Sequence, residues 1–226
     1  MPAMASVAVS KWKRPTRRAT LPESRERLLD AAEGLILSGG AAAVTNVSVT
    51  RAAGFAQSGF YLHFANTEAC LRAVGERIAA RVRHAVAGER RRVQAGHPGD
   101  LDAETALFAG FLRLYTDDPV VSGLLLRNQH DPGPLGQAMA ALIAHLRADL
   151  TNDLWKIAAS LGVATGHRPR VGIISDFILA NLFAAGEALL DGRIPDAALL
   201  ASQLAMTTQA ACTEFILRYG DPAKFG

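Results

Sequence analysis

Apolar residues recur along the chain at helical spacing and almost nowhere at the alternating spacing of a strand. Leu28, Ala32, Leu35 and Ile36 stand at i, i+4, i+7 and i+8, one face of a helix that stops at Gly39-Gly40. Thr20-Leu21-Pro22-Glu23 has the form of a capping box at its start, with Pro22 in the first turn where its missing N–H costs no hydrogen bond. A short helix fits 46–53, with Val49 and Ala53 on one face and Asn46 available as its cap. Gly54 supplies a left-handed turn, and a third helix fits about 57–62, which gives a helix-turn-helix layout. A fourth helix opens at Asn66 or Thr67 and turns Leu71, Val74, Ile78 and Val82 inward, leaving Arg77, Arg81, Arg83 and the run Arg90-Arg91-Arg92 on its outer side. Helical patterns then cover about 101–116, 120–128, 135–161, 171–191 and 197–219, with proline and glycine punctuation between them. No stretch alternates with period two and no fixed-period repeat is present, so the chain is expected to be all-α with about nine helices.

The segment 94–100, "QAGHPGD", breaks this pattern and coincides with a change of charge sign. Residues 1–94 hold 15 Lys and Arg against 7 Asp and Glu, whereas the remainder holds 9 against 14. A cationic front points to a polyanionic partner, most simply nucleic acid, because each neutralised phosphate releases condensed counterions. A solvated basic face is the bland alternative. The expected organisation is a flexible basic arm over 1–19, a helix-turn-helix DNA-binding domain over 20–66, a connecting helix over 67–94 and a larger helical domain over 95–226.

Cys70 and Cys212 stand far apart without a CxxC partner, and His84, His130 and His145 are scattered singly, so neither disulfide framework, metal site nor cofactor is indicated. The first ten residues are only weakly apolar, and no run reads as the roughly 20 apolar residues that a membrane span needs. A cytoplasmic protein without a membrane partner is the expectation.

The stretch 54–64, "GFAQSGFYLHF", gathers four aromatic side chains and a histidine in a chain that is 6% aromatic. A short helix whose first turn offers Gln57, Ser58 and Gly59 presents small or polar groups to a major groove. Gln can pair with adenine, Ser with base edges or phosphate, and Gly permits close backbone approach. Tyr61 and His63 lie a turn further on, within reach of phosphates; Tyr61 reads alternatively as packing, and His63 as a buried histidine bonded to a backbone carbonyl. Phe55, Phe60 and Phe64 would form the underside, since a reading unit of three turns has too few residues to build a core from aliphatics alone. Arg90 to Arg92 reads as a solvated helix end, with a second phosphate contact as the alternative.

Residues from about Arg25 to Val74 resemble the DNA-binding domain of TetR-type transcriptional regulators. The pattern of that family is close to T-x-x-x-I-A-x-x-A-G-V-S-x-G-x-x-Y-x-H-F-x-x-K-E, and Val49, Ala52, Ala53, Gly54, Phe60, Tyr61, His63, Phe64 and Glu68 stand in register with it. Ala56 replaces the usual capping serine, Ser58 the usual glycine, and Thr67 a lysine that often meets a phosphate. The first departure weakens an N-cap by about 0.5–2 kcal/mol. The resemblance implies a sequence-specific regulator, a repressor released from its operator by a small effector, with DNA contacts from Lys13, Arg14, Arg17, Arg18, Thr45, Asn46, Gln57, Ser58, Gly59, Tyr61, His63 and Thr67.

The remaining two thirds carry no recognised motif, and the resemblance implies a ligand-binding and dimerisation domain there. Near-palindromic double-stranded operators demand a two-fold protein, because two reading heads must meet successive major grooves about 34–36 Å apart. The segments 177–190 and 198–219, apolar on wide faces with Ala and Gly interleaved, are the expected homodimer interface, with an ordinary intrachain core as the alternative. Phe108, Phe111, Tyr115, Met139, Ile143, Trp155, Phe177 and Asn181 are the candidate pocket lining, and few charges point at such a cavity, so a mostly apolar effector is expected. Two rival readings are a helical-bundle enzyme using Tyr115, His145 or Asp149, and a DNA-binding dimer without an effector.

Overall fold

The structure is a computed structural model and describes residues 20–93, 100–127 and 131–224. The basic arm, with Lys13, Arg14, Arg17 and Arg18, lies outside the described residues, as do His130 and nearly all of the 94–100 boundary. Among the described residues there are eight α-helices and no strand. They are α1 (Leu21–Gly39), α2 (Asn46–Ala53), α3 (Thr67–Val93), α4 (Leu101–Asp117), α5 (Pro119–Arg127), α6 (Pro134–Ser160), α7 (Arg168–Leu190) and α8 (Ala197–Tyr219).

Local chemistry sets the ends of the front helices. The Thr20 hydroxyl accepts from the Glu23 N–H, and the Glu23 carboxylate accepts from the Thr20 N–H at 2.8 Å, which closes the capping box that starts α1. At α2 the cap is Thr45 and not Asn46: Thr45 has the extended backbone a cap requires (φ −128°, ψ 161°) and accepts from the Ser48 N–H at 3.0 Å, whereas Asn46 is already helical. Gly54 ends α2 in the left-handed region at φ 71°, ψ 35°, where its N–H and that of Phe55 return to carbonyls of the last turn.

The third helix expected over 57–62 does not form as an α-helix. Gln57–Gly59 is a single 3₁₀ turn followed by further turns to His63, held by Gly59 N–H to Ala56 C=O, Phe60 N–H to Gln57 C=O and His63 N–H to Phe60 C=O. Ala56 offers no side-chain cap and Gly59 adds backbone freedom, so the segment has too little intrinsic support for i→i+4 winding.

The inward residues of α3, Leu71, Val74, Ile78 and Val82, are buried against Leu28, Leu29, Ala32, Val49, Phe60 and Phe64, and the same core continues into α5 and α6 through Val121, Leu124, Leu135, Met139 and Leu142. Head and body are therefore joined by packed side chains. Arg77 and Arg81, expected on the solvent side of α3, instead turn back onto α1. Arg77 contacts Glu26, Asp30 and Glu33, and Arg81 bridges Glu33 and Asp118 at 3.0 and 3.3 Å. Two cations of the front are thus neutralised within the fold. Arg90, expected at a solvated end, pairs with Asp149 and Asp153 of α6.

Behind the head, α4 packs chiefly on α8, and α6 lies between α3 and α7. Phe108, Leu112, Tyr115, Ile178, Leu200, Ala201 and Leu204 form a second core, and Ala158, Val163, Val171 and Phe215 a third at the far end. Gly186 lets α7 approach α4, since a Cβ there would stand 2.8 Å from Tyr115 Cζ. One helical stretch, Thr165–Leu190, is long and apolar enough to cross a membrane by length and composition, which corrects the expectation that no run reaches that standard. Its apolar surface includes Ile173 and Phe177, which are 54% and 66% exposed in the single chain.

Candidate reading turn and ligand cavity

The turn 57–59 sits at the tip of the head on an aromatic base. Phe60 and Phe64 are buried with ring centroids 5.4 Å apart, and Phe55 is half-buried beneath the Arg27 guanidinium at 4.6 Å. Arg27 also donates to the Ala53 carbonyl at 2.8 Å, so one side chain of α1 holds both the end of α2 and the entry to the turn. Above this base Gln57 and Ser58 are exposed and Gly59 is half-buried.

The flanking candidates are fixed by cross-links between elements. Asn46 Nδ2 donates to Tyr61 Oη at 2.7 Å, so the half-buried Asn46 and the exposed Tyr61 form one unit joining the start of α2 to the turn. Tyr61 is 57% exposed and does not belong to the core. His63 is half-buried, and its Nε2 shares a 2.8 Å hydrogen bond with the Ser24 hydroxyl of α1, which replaces the expected backbone carbonyl. Thr45 is committed to capping α2, and Thr67 is the half-buried first residue of α3, whose cap is Asn66 through its Oδ1 to the Ala69 N–H. Ser24 and Arg27 were not nominated from the sequence: their partners stand 39 and 26 residues away, and no local pattern announces such contacts.

In the body a cavity of about 480 Å³ opens between α3, α4, α6 and α7. Its walls are mostly apolar, with leucine the commonest residue, including Leu107, Leu114, Leu146, Leu150, Leu154 and Leu182. Phe108, Phe111 and Tyr115 line it; the Tyr115 phenol is buried, and desolvation, with the nearby Glu187 charge, pushes its pKa up. Met139, Ile143, Trp155, Phe177 and Asn181 do not line it. Met139 is fully buried in the head-body core, Trp155 packs on the far core, Phe177 and Asn181 face outward on α7, and Ile143 is half-buried elsewhere on α6. Aromatic character and helical spacing identified the α4 stripe, but the sequence alone does not say which face of α6 or α7 meets the void.

The cavity is less free of charge than expected, since Arg90, Asp100, Glu104, Asp153 and Lys156 are among the residues that line it. Arg90 and Lys156 are both engaged with Asp153. Glu104 was missed, although it lies on the same stripe as Phe108, Phe111 and Tyr115 at i+4, i+7 and i+11. A second chamber of about 280 Å³ adjoins between α6, α7 and α8, and Glu104, Leu154, Ile157 and Thr208 border both. His145 and Asp149 border neither chamber, so the residues of an enzyme reading are not brought together with Tyr115. Among the described residues, no group of three or more His, Cys, Asp or Glu is placed to hold a metal ion.

Comparison with known proteins agrees with this arrangement. Residues 28–74 match the family model of bacterial regulatory proteins of the tetR family. No curated protein sequence matches the chain significantly. Solved structures share the fold at low identity. FadR from Bacillus subtilis, in complex with stearoyl-CoA, superposes with a TM-score of 0.61 at 14% identity, covering 81% of this chain and 96% of that one. The fatty acid degradation regulator FadR from Bacillus halodurans gives 0.63 at 16%, covering 88% and 97%. A TetR-like transcriptional regulator from Rhodococcus sp. RHA1 gives 0.63 at 17%, covering 85% and 99%.

Proposed function

We propose that this chain, which carries a TetR-family head on the fold of a TetR-family transcription regulator, is a dimeric, sequence-specific DNA-binding repressor released by a small apolar effector. The observation that carries the reading is the exposure of Gln57 and Ser58 on a turn whose underside, Phe60 and Phe64, is buried. Polar groups held rigidly at the tip of a compact head suit base edges in a major groove. Tyr61, oriented by Asn46, and His63, oriented by Ser24, flank the turn where phosphates would pass.

The second copy is supplied by the outer faces of α7 and α8. Ile173 and Phe177 on one helix, with Leu199, Met206 and Leu217 on the other, are exposed large apolar residues at helical spacing. A two-fold pairing of these helices would cover them in a four-helix bundle and set the separation of the two heads. The apolar face of Thr165–Leu190 is then explained by a protein partner and needs no membrane.

The effector would occupy the leucine-lined cavity, whose size is within the usual range for small-molecule sites. The stearoyl-CoA bound by the Bacillus subtilis protein is consistent with a long apolar body in a cavity of this fold. Val121 of α5 lines the cavity, and Asp118, just before α5, meets Arg81, which also holds Glu33 of the head. A ligand that displaces α4 or α5 would therefore tilt the head through packed and ion-paired side chains, and a coupling of about 1–3 kcal/mol gives a 5- to 150-fold change in operator affinity.

The test is duplex selection from a random pool, followed by titration at several salt concentrations. The expected result is a near-palindromic site bound with a steep salt dependence, and a Gln57→Ala variant weakened more on that site than on random duplex. Absence of duplex binding at low ionic strength would overturn the reading.

A further inference from the structure

We propose that the double cavity takes an elongated apolar amine, whose ammonium group seats against Glu104 at the neck between the two chambers; this deepens the ligand-responsive reading above and rests on it. Glu104 Oε2 is buried and has no hydrogen-bond partner. A buried acceptor left unmade is costly to a fold, and it stands here beside a void that a ligand can enter. Because Glu104 borders both chambers, a group bound to it can extend hydrocarbon in either direction.

The surrounding charges favour a cation. Arg90 is held by Asp149 and Asp153, and Lys156 by Asp153 at 3.4 Å, so the two basic residues on the wall are already engaged. Asp100 adds a second carboxylate to the wall, although its Oδ1 caps α4 by accepting from the Asp102 and Ala103 N–H groups. Burial, reinforced by the Asp100 charge, holds the Glu104 carboxyl above the usual carboxylate range. An ammonium N–H would satisfy Oε2 with a charge-assisted hydrogen bond and reverse that shift, whereas an anionic head group would meet two like charges. The Thr208 hydroxyl, which also borders both chambers, is available to a remaining N–H. Leu107, Leu150 and Leu182 would pack the tail in the larger chamber, and Val171 and Ile216 in the smaller.

The experiment is calorimetric titration of the full chain, and of its Glu104→Gln variant, with dodecylamine and with dodecanoate, which share an alkyl chain and differ in head charge. The expected result is that the amine binds at least tenfold more tightly than the acid, and that Glu104→Gln loses at least tenfold in amine affinity while the acid is held no less tightly. Equal or tighter binding of dodecanoate, an amine affinity unchanged in Glu104→Gln, or no binding of either probe would overturn the inference. Duplex binding is measured on the same preparations. If it is intact while the amine preference is absent, this inference falls alone; if it is absent, the regulatory reading falls whatever the amines do.

Discussion

Arg77 Nη2 stands 2.6 Å from Oε1 of Glu33, an ion pair that crosses from α3 to α1 with the carboxylate buried inside the head. Burial opposes the charge of Arg77, but the hydrogen bonds it donates to Glu33, Glu26 and Asp30 raise its pKa on balance, so the guanidinium stays charged at any pH the protein meets. Replacing it removes the main partner of a buried charge. Arg77→Met is expected to destabilise the fold by about 3 kcal/mol, and Glu33→Gln by less, because the amide leaves no uncompensated charge behind. Chemical denaturation of both variants checks the order.

Gly54 allows α2 to end and the chain to reverse toward the reading turn, and its φ of 71° is one that side chains with a Cβ adopt at a penalty. The nearest atom to an added Cβ would be Arg27 Nη2 at 3.6 Å, so the cost is in the backbone and not in a clash. Gly54→Ala is expected to lose about 1–2 kcal/mol of stability, and Gly54→Asn less, since Asn tolerates the left-handed region. Thermal melts of the two variants distinguish them.

The hydrogen bond from Asn46 to Tyr61 is exposed, so its contribution to stability is small, and its role is to aim the ring. Tyr61→Phe should leave the melting temperature nearly unchanged and lower operator affinity by about 1 kcal/mol, roughly fivefold. A matching loss in Asn46→Ala, with no further loss in the double variant, would show that the pair acts as a unit.

Glu104 gives a pH signature. Its carboxyl is held above its ordinary value of 4.5 in the fold, so the folded chain binds this proton more tightly than the unfolded chain. The associated stability is fully present below the unfolded value and is lost as pH rises through the folded one. Glu104→Gln removes that loss. Its melting temperature relative to the natural protein should therefore be higher at pH 7 than at pH 4, and a difference independent of pH would contradict this account.

Arg81 bridges Glu33 of α1 and Asp118 at the foot of α5, and its side chain is 40% exposed. Arg81→Met is expected to keep both duplex and ligand binding while reducing the release of DNA by ligand, by a few-fold. Measuring operator affinity with and without saturating ligand reads this directly.

The sequence by itself determined the helical architecture and its punctuation. All five helices from α4 onward begin and end within three residues of where periodicity, proline and glycine put them, and α1 starts at the Thr20 capping box. These features rest on local chemistry, which a short window of residues contains in full. The aromatic underside of the reading turn was legible for the same reason: the spacing of Phe60 and Phe64 leaves few other places for them. The conformation of the turn itself was not, since the balance between 3₁₀ and α winding over 57–62 depends on a missing cap and on what Arg27 and Phe60 hold from below. Nor was the fate of the basic residues, because Arg77, Arg81 and Arg90 find carboxylates on helices 44 to 63 residues distant in sequence. The cavity followed the same division. Periodicity put Glu104, Phe108, Phe111 and Tyr115 on one stripe of α4, but only the packing of that stripe against α6, α7 and α8 decided which neighbours line the void and which, like Met139 and Phe177, are drawn into the core or left outside. A helix can declare its apolar face from its own residues; what that face meets is settled by the other helices.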